Sequence, residues 1–206
     1  MTRNPRTSTL LKLAGGDAVR LLSADRAFLK DLARVGLISD RSAGVVHYTH
    51  LKNGAARTLD RLQRAGLIRG SWLHTRGERL QVFSFASREI AKAWGGELPV
   101  IGNTRSVFHE WVVSRLYFEL NRPQDFRIAA AFTANDKKLC GAMRPDAMYT
   151  NGDGEVVFVE ADSGHYTRKQ IHTKMNHWQG MAQVWGQPVA AFAPITGRPD
   201  VTVIQV

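Results

Sequence analysis

Length, composition and charge together exclude several classes of protein. The chain has 206 residues, of which 44% are hydrophobic and five are Trp, and its formal net charge is +10. This is enough to bury a core in one large or two small domains. No stretch approaches the ~18 consecutive apolar residues of a membrane span, and Lys12 interrupts the apolar run near the N-terminus, so we expect a cytoplasmic protein without a signal peptide. The single cysteine, Cys140, excludes an internal disulfide and a zinc finger of the usual spacing, and we interpret it as a core thiol.

The net positive charge of the chain comes entirely from its N-terminal half. Residues 1–95 contain 17 Lys and Arg against 7 Asp and Glu, whereas residues 96–206 contain 11 of each kind. A local excess of cations suits a polyanion, because neutralised phosphates release condensed counterions and so provide sequence-independent affinity. The asymmetry therefore favours nucleic acid as the partner over charge that serves solubility alone.

The N-terminal half predicts three helices followed by a β-hairpin. Apolar periodicity appears in "RAFLKDLARVGLIS" and again in "DRSAGVVHYTHLKNGAARTLDRLQRAGLIRG", and "SWLHTRGERLQVFSF" has two β-rich runs around a Gly turn. Gly66 is the expected end of the third helix. One side of that helix is apolar and the other is polar: the apolar positions are Leu51, Ala55, Leu59 and Leu62, and the polar ones are Asn53, Arg57, Asp60, Arg61 and Arg64.

This order of elements resembles a winged helix-turn-helix domain. In that family the third helix enters the major groove, so the resemblance makes Lys52, Asn53 and Arg57 candidates for reading bases. It also makes four arginines candidates for phosphate contacts, the last two on the wing: Arg61, Arg64, Arg76 and Arg79. A winged helix that binds protein instead, with a solvated polar face, is the alternative. Asp60 among these arginines would face phosphate unless it pairs with Arg57 or Arg64.

The segment "AWGGELPVIGNTRS", residues 93–106, has the Gly, Pro and Asn content of a connection, so we predict domains over 1–95 and 96–206. An amphipathic helix follows, "SVFHEWVVSRLYFELNR", with His109 and Glu110 near its start as either functional or ordinary solvent-edge residues. Next come strand patterns in "FRIAAAF", "RPDAMYT", "EVVFVEAD", "PVAAFAP" and "VTVIQV", with a helical segment between the third and fourth. The second domain is therefore predicted to be an α/β sheet.

Carboxylates gather at the end of the predicted hairpin in this domain. The turn "NGDG" favours a tight reversal; a four-residue loop would set Asp146 opposite Val159, and a five-residue loop would set it opposite Glu160. Glu160 and Asp162 point to the same side of their strand, because side chains alternate. Acids that converge in this way need a compensating cation, and their oxygens suit Mg²⁺ or Mn²⁺.

These residues resemble the core of PD-(D/E)XK nucleases, the restriction-endonuclease fold, which has a mixed sheet flanked by helices. The combination with a winged helix is most similar to plasmid replication-relaxation proteins and related mobilisation relaxases, through "HEWVVSRLYFEL", "RPDA", the E-x-D strand end and a helix that carries Lys174. The resemblance spans roughly residues 20–192. It implies that Asp146, Glu160 and the Ala161 carbonyl bind the metal, and that Glu110 matches an acid sometimes supplied by the first helix.

The chain departs from this family at one catalytic position. Asp162 stands where the family has a lysine that orients water or stabilises charge on phosphate, and Lys174 or Lys169 of the following helix would have to replace it. We expect a protein that binds double-stranded DNA of a plasmid or mobile element and nicks or processes it with Mg²⁺ or Mn²⁺. Other mobilisation or replication proteins, or a second copy of the chain, are further expected partners. The alternatives are a non-catalytic DNA-binding accessory with a degenerate nuclease core, and a winged helix that senses a small ligand.

Overall fold

The computed structural model of the protein describes residues 9–12, 18–51, 55–74, 79–99, 104–140, 144–154, 156–161, 167–185, 192–194 and 202–204. The chain forms two compact units, Met1–Leu98 and Pro99–Val206, so the division falls close to the predicted boundary between residues 95 and 96. The architecture is mixed α and β, with small antiparallel sheets. Within the described part of the chain, no helix is both long enough and apolar enough to cross a bilayer.

The first unit combines four helices with two small sheets among its described residues. In chain order its elements are β1 (Thr9–Lys12), β2 (Ala18–Leu21), α1 (Ser23–Val35), β3 (Ile38–Ser39), α2 (Asp40–Val46), α3 (Ala56–Arg64), β4 (Ile68–His74), β5 (Arg79–Phe85) and α4 (Arg88–Ala93). Strands β1 and β2 pair with each other, and β3, β5 and β4 form an antiparallel sheet in that order. The three helices and the hairpin of the sequence prediction are present, whereas β1, β2, β3 and α4 were not predicted.

Helix α3 ends as its sequence predicts. Leu59 and Leu62 are buried, and Gly66 has a φ of +69°, a left-handed conformation that glycine adopts without steric cost. The core of this unit also contains Phe28, Leu29 and Leu32 of α1, and residues of β5 such as Phe83. The apolar side of α3 therefore packs inward, and its polar side, with Arg57 and Arg64, is exposed.

One buried carboxylate connects four segments of the first unit. Asp25, in the first turn of α1, is fully buried and accepts hydrogen bonds from the Leu22 N–H (2.7 Å), the Arg61 guanidinium (2.6 Å) and the Tyr48 hydroxyl (3.3 Å). Arg61 also donates to the carbonyl of Arg20 at 2.7 Å. Burial raises the pKa of Tyr48 above its usual value, and the charge of Asp25 adds to this rise. The contacts tie α3 to β2, to the start of α1 and to the end of α2.

The second unit contains three helices and two antiparallel sheets among its described residues. Its elements are α5 (Thr104–Glu119), β6 (Arg127–Ile128), a short 3-10 helix (Ala129–Ala131), α6 (Ala134–Cys140), β7 (Ala147–Thr150), β8 (Val156–Val159), α7 (Arg168–Trp185), β9 (Phe192–Pro194) and β10 (Thr202–Ile204). The sheets have the orders β6–β7–β8 and β9–β10.

Two predictions for this unit are wrong in detail. All strand pairs among the described residues are antiparallel, so the expected mixed sheet is not found within them. The segment "FRIAAAF" was expected as a full strand, but only Arg127 and Ile128 pair, and the three alanines that follow form a 3-10 turn. Alanine has low β-propensity and little surface to pack on a sheet, which explains the short strand. Helix α6 was not predicted.

Aromatic and aliphatic side chains connect α5 to the β6–β7–β8 sheet. Trp111, Val112 and Leu116 of α5 are buried. The ring of Tyr117 lies 5.3 Å from that of Phe126, which in turn stacks on Tyr149 of β7 at 6.3 Å between centroids. At the end of α6, Cys140 is buried as predicted, and burial, with the charge of Asp136, raises its pKa to about 11.

The buried pair in the first unit gives a prediction for stability. Arg61→Met leaves the Asp25 carboxylate buried without its cation, and because Arg61 is partly exposed we expect a loss of about 2 kcal/mol in the free energy of unfolding. Arg64→Met is the matched control, since the pair of Arg64 with Asp60 is fully solvated. Urea denaturation followed by circular dichroism measures both. Equal losses for the two variants would contradict the structural role of Arg61.

Candidate active site and nucleic-acid interface

The hairpin of β7 and β8 brings two carboxylates to one edge of the sheet. Its register runs from Thr150↔Val156 to Ala147↔Val159, so five residues separate the paired strand ends, and the five-residue loop is confirmed. The Asp146 N–H donates to the Val159 carbonyl at 2.9 Å, so Asp146 lies opposite the Val159–Glu160 peptide at the end of the hairpin.

Hydrogen bonds engage both carboxylate oxygens and the backbone carbonyl of Asp146. Its Oδ2 accepts from the Ala161 N–H at 2.7 Å, and its Oδ1 lies 3.0 Å from His109 Nε2 on α5. Its own carbonyl accepts from the Ala129 N–H at 2.9 Å. The carboxylate therefore has a fixed orientation, which a metal ligand or a positioned acid requires.

Glu160 pairs with a lysine of the following helix. It is buried at the end of β8, and its Oε2 accepts from Lys174 Nζ of α7, whose side chain is mostly buried as well. Of the two lysines that the sequence resemblance made candidates, Lys174 thus contacts Glu160, whereas Lys169 is exposed in the first turn of α7. Asp162, which stands where the resemblance implies a lysine, lies outside the described residues.

Two residues at the start of α5 complete the cluster, and their pKa values respond to it. The hydrogen bond to Asp146 raises the pKa of His109 above its usual value, although burial opposes this rise. Burial raises the pKa of Glu110; the charge of His109 opposes this, and the charge of Asp146 adds to it. Lys174 also acts on His109 electrostatically. His109, Glu110 and Asp146 therefore interact electrostatically with one another, and Lys174 connects His109 to Glu160.

The predicted metal ligands are oxygen atoms, the type of ligand that Mg²⁺ and Mn²⁺ prefer. Asp146, Glu160 and the Ala161 carbonyl offer oxygen atoms, which these cations prefer, and solvent or phosphate oxygens normally fill the remaining positions. Glu160 is already paired with one cation, the Lys174 ammonium, so a metal ion at this carboxylate would compete with Lys174. Across the residues that the structure describes, no three side chains of His, Cys, Asp or Glu are grouped as metal ligands.

The predicted DNA-contacting residues of the first unit have different environments. Arg57 is exposed on α3 and is available to a ligand. Arg64 is exposed as well and pairs with Asp60, one of the two pairings that the sequence left open. Arg61 is partly exposed, but its guanidinium donates to Asp25 and to the Arg20 carbonyl, so the predicted phosphate contact would compete with these bonds. Lys52, Asn53 and Arg76 lie outside the described residues.

The exposed face of the hairpin contains a contact that the sequence did not reveal. The Arg79 guanidinium lies over the indole ring of Trp72, 4.0 Å from the ring centroid, and Trp72 is 52% exposed. Strand register predicts that residues 72 and 79 are diagonal neighbours, but the exposure of Trp72 has no signal in the sequence, because a Trp in a β-rich run is usually interior. The pairing of His109 with Asp146 was missed because 37 residues separate them.

Comparison of the chain with protein-family models, with curated proteins and with solved structures gives no match.

The burial of Glu110 predicts a pH dependence of stability. Because its folded-state pKa lies above the usual 4.5, the folded protein holds a proton that the unfolded chain releases, and stability falls as pH rises through that interval. Glu110→Gln removes this penalty, so its free energy of unfolding relative to the parent protein should increase between pH 4 and pH 8. Denaturation at several pH values measures the difference.

A control of opposite sign is available in the first unit. The hydrogen bond from Ser87 lowers the pKa of Glu89, an exposed residue of α4, so Glu89 stabilises the fold at pH values above its usual pKa. Glu89→Gln should therefore lose stability relative to the parent protein as pH rises. A pH-independent difference for Glu110→Gln would contradict the assignment of Glu110 as a buried, destabilising charge.

Proposed function

We propose that this protein binds double-stranded DNA of a plasmid or mobile element and cleaves one strand with a divalent metal ion. In this proposal the first unit is a winged helix-turn-helix domain and the second is a core of the PD-(D/E)XK type. The observation that carries the proposal is the meeting of Asp146 and Glu160 at one sheet edge, with Lys174 on Glu160. These are the residue types and positions that the resemblance implies, apart from the migrated lysine.

The first unit has the features that DNA binding requires. Its helices α1, α2 and α3 precede the β4–β5 hairpin, which is the order of a winged helix, and the polar side of α3 is exposed. The excess of 17 cationic over 7 acidic residues in the first 95 residues supports a phosphate partner. Arg57 on α3 would read bases, and Arg64 and Arg79 would contact phosphates.

Each residue of the second unit has a role in this proposal. Asp146 and Glu160 would hold Mg²⁺ or Mn²⁺, with the Ala161 carbonyl as a further ligand. When bound, such an ion lowers the pKa of water and neutralises charge on a phosphate. His109 keeps Asp146 in its orientation through the 3.0 Å hydrogen bond. Lys174 approaches the site from α7 and would place its ammonium near the phosphate, as the missing lysine does in the family.

A second candidate function, a non-catalytic DNA-binding accessory, also has an observation in its favour. Both oxygens of Asp146 accept hydrogen bonds, and Glu160 is neutralised by Lys174, so the acids are satisfied within the protein. A core that keeps its acids for structural reasons would have this appearance. The two candidates differ in whether the acids bind a metal ion.

The test of the cleavage function uses the purified full-length protein, supercoiled DNA that carries a cognate origin, and Mn²⁺. We expect conversion to the nicked form, and Asp146→Asn and Glu160→Gln should each slow it by roughly 100-fold or more, because each removes a group that stabilises the transition state. Asp153→Asn, in the exposed turn of the same hairpin, is the control and should nick at the parent rate. Absence of nicking, or equal nicking by all variants, would favour the accessory function.

Lys174 provides a separate prediction, because its ammonium and a metal ion compete for Glu160. Lys174→Gln should bind Mn²⁺ about tenfold more tightly, since a neighbouring positive charge is removed, and yet nick more slowly. Lys169→Gln removes an exposed lysine of the same helix and should change neither property. Titration calorimetry measures the affinity. Unchanged affinity in Lys174→Gln would show that metal and lysine do not share Glu160.

A further inference from the structure

The β4–β5 hairpin presents a surface that the proposed duplex contacts do not explain. Trp72 leaves 52% of its surface exposed, although a Trp normally buries most of its large apolar area. The Arg79 guanidinium lies 4.0 Å from the centroid of the indole ring and covers one face of it. More than half of the residue is nevertheless accessible, and the face opposite Arg79 is where a ligand could stack.

Two carboxamides lie near Gly70, whose position is on the same face of β4 as Trp72. Trp72 is paired with Gln81, and Gly70 is two residues before Trp72 on β4. A Cβ on Gly70 would lie 2.8 Å from Gln81 Nε2 and 3.1 Å from Gln63 Oε1 of α3, so the missing side chain leaves the space that these amide groups occupy. We call Trp72, Arg79, Gln81 and Gln63 the Trp72 patch.

The chemistry of the Trp72 patch fits a nucleotide base that is not paired. An aromatic ring stacks on the face of a base, and a guanidinium beside it attracts phosphate and contributes a cation–π interaction. Carboxamides donate and accept hydrogen bonds at base edges. In a duplex the faces of the bases are covered by their neighbours, so an exposed indole finds a partner of this kind only where a strand is unpaired.

We propose that the Trp72 patch binds an unpaired base of single-stranded DNA by stacking it on the open face of Trp72. The proposal rests on the DNA-binding function proposed above and specifies its substrate, a DNA that is locally single-stranded. The electrostatic setting supports this occupant over an apolar protein segment, because Arg79 lies in the patch and the surrounding first 95 residues are strongly cationic.

The test measures affinity by fluorescence anisotropy for a labelled single strand and for a blunt duplex of the same sequence. Trp72→Ala should weaken single-strand binding about tenfold, within the range that one lost stacking contact produces, and change duplex binding less than about twofold. Trp72→Phe keeps a stacking ring and should retain most of the affinity. Ser71→Ala, an exposed neighbour on the opposite side of β4, should bind both DNAs like the parent protein.

An oligonucleotide with abasic sites refines the measurement. It keeps the phosphates and removes the bases, so the parent protein should bind it about as weakly as Trp72→Ala binds the intact strand. Trp72→Ala should bind the abasic and the intact strands with equal affinity, because the stacking contact is already lost. Equal losses of Trp72→Ala on single strand and duplex would overturn the proposal in favour of a general phosphate or groove contact. No loss on either DNA would overturn it in favour of a protein partner. If the parent protein bound neither DNA, the proposed DNA-binding function itself would fail.

Discussion

The hydrogen-bonded environment of Asp146 is the constraint on which the second unit depends. Its N–H and carbonyl hold β7 to β8 and to the 3-10 turn, and its two carboxylate oxygens hold α5 through His109 and the end of β8 through Ala161. A change at this residue therefore affects the relative positions of three elements as well as any chemistry. The same bonds give the carboxylate one orientation without the entropic cost of ordering it on binding, which is how a structural anchor can also serve as a preorganised ligand.

A buried carboxylate has a comparable place in the first unit, where it decides which cations are available to a partner. Arg61 of α3 donates one guanidinium N–H to Asp25 and another to the Arg20 carbonyl, so this arginine stabilises the fold. Arg57 and the hairpin residues Trp72 and Arg79 remain at the surface. Net charge alone would have assigned all of these arginines to DNA. The division follows from burial, because a desolvated carboxylate is costly until a cation and hydrogen-bond donors surround it.

The sequence predicts those parts of the site that depend on local geometry. Turn composition and strand alternation were sufficient to bring Asp146 near Glu160, because a hairpin connects residues that are close in the chain. The partner of Asp146 on α5, His109, depends on how a helix packs on a sheet, which periodicity does not encode. The pairing of Arg61 with Asp25 was not predicted for the same reason: a helical pattern identifies a polar side but not the buried acid that faces it. The exposure of Trp72 likewise depends on tertiary context.

The balance of charge at the candidate active site gives the strongest physical reason to expect a further cation there. Asp146, Glu160 and Glu110 are three carboxyl groups, and they are opposed by Lys174 and by the partial charge of His109. Burial keeps Glu110 protonated to a higher pH, which relieves part of the repulsion, but two carboxylates and one ammonium still leave the cluster unfavourable to an anion. A phosphodiester carries a negative charge and would be repelled at close range. Residues 96–206 have equal numbers of cationic and acidic residues, so they provide no excess of Lys and Arg to compensate. The proposed cleavage of DNA at this position therefore requires either a bound divalent cation or the release of Lys174 from Glu160 towards the phosphate. A cation bound at Glu160 would also replace Lys174 there, and so would release the lysine towards the phosphate.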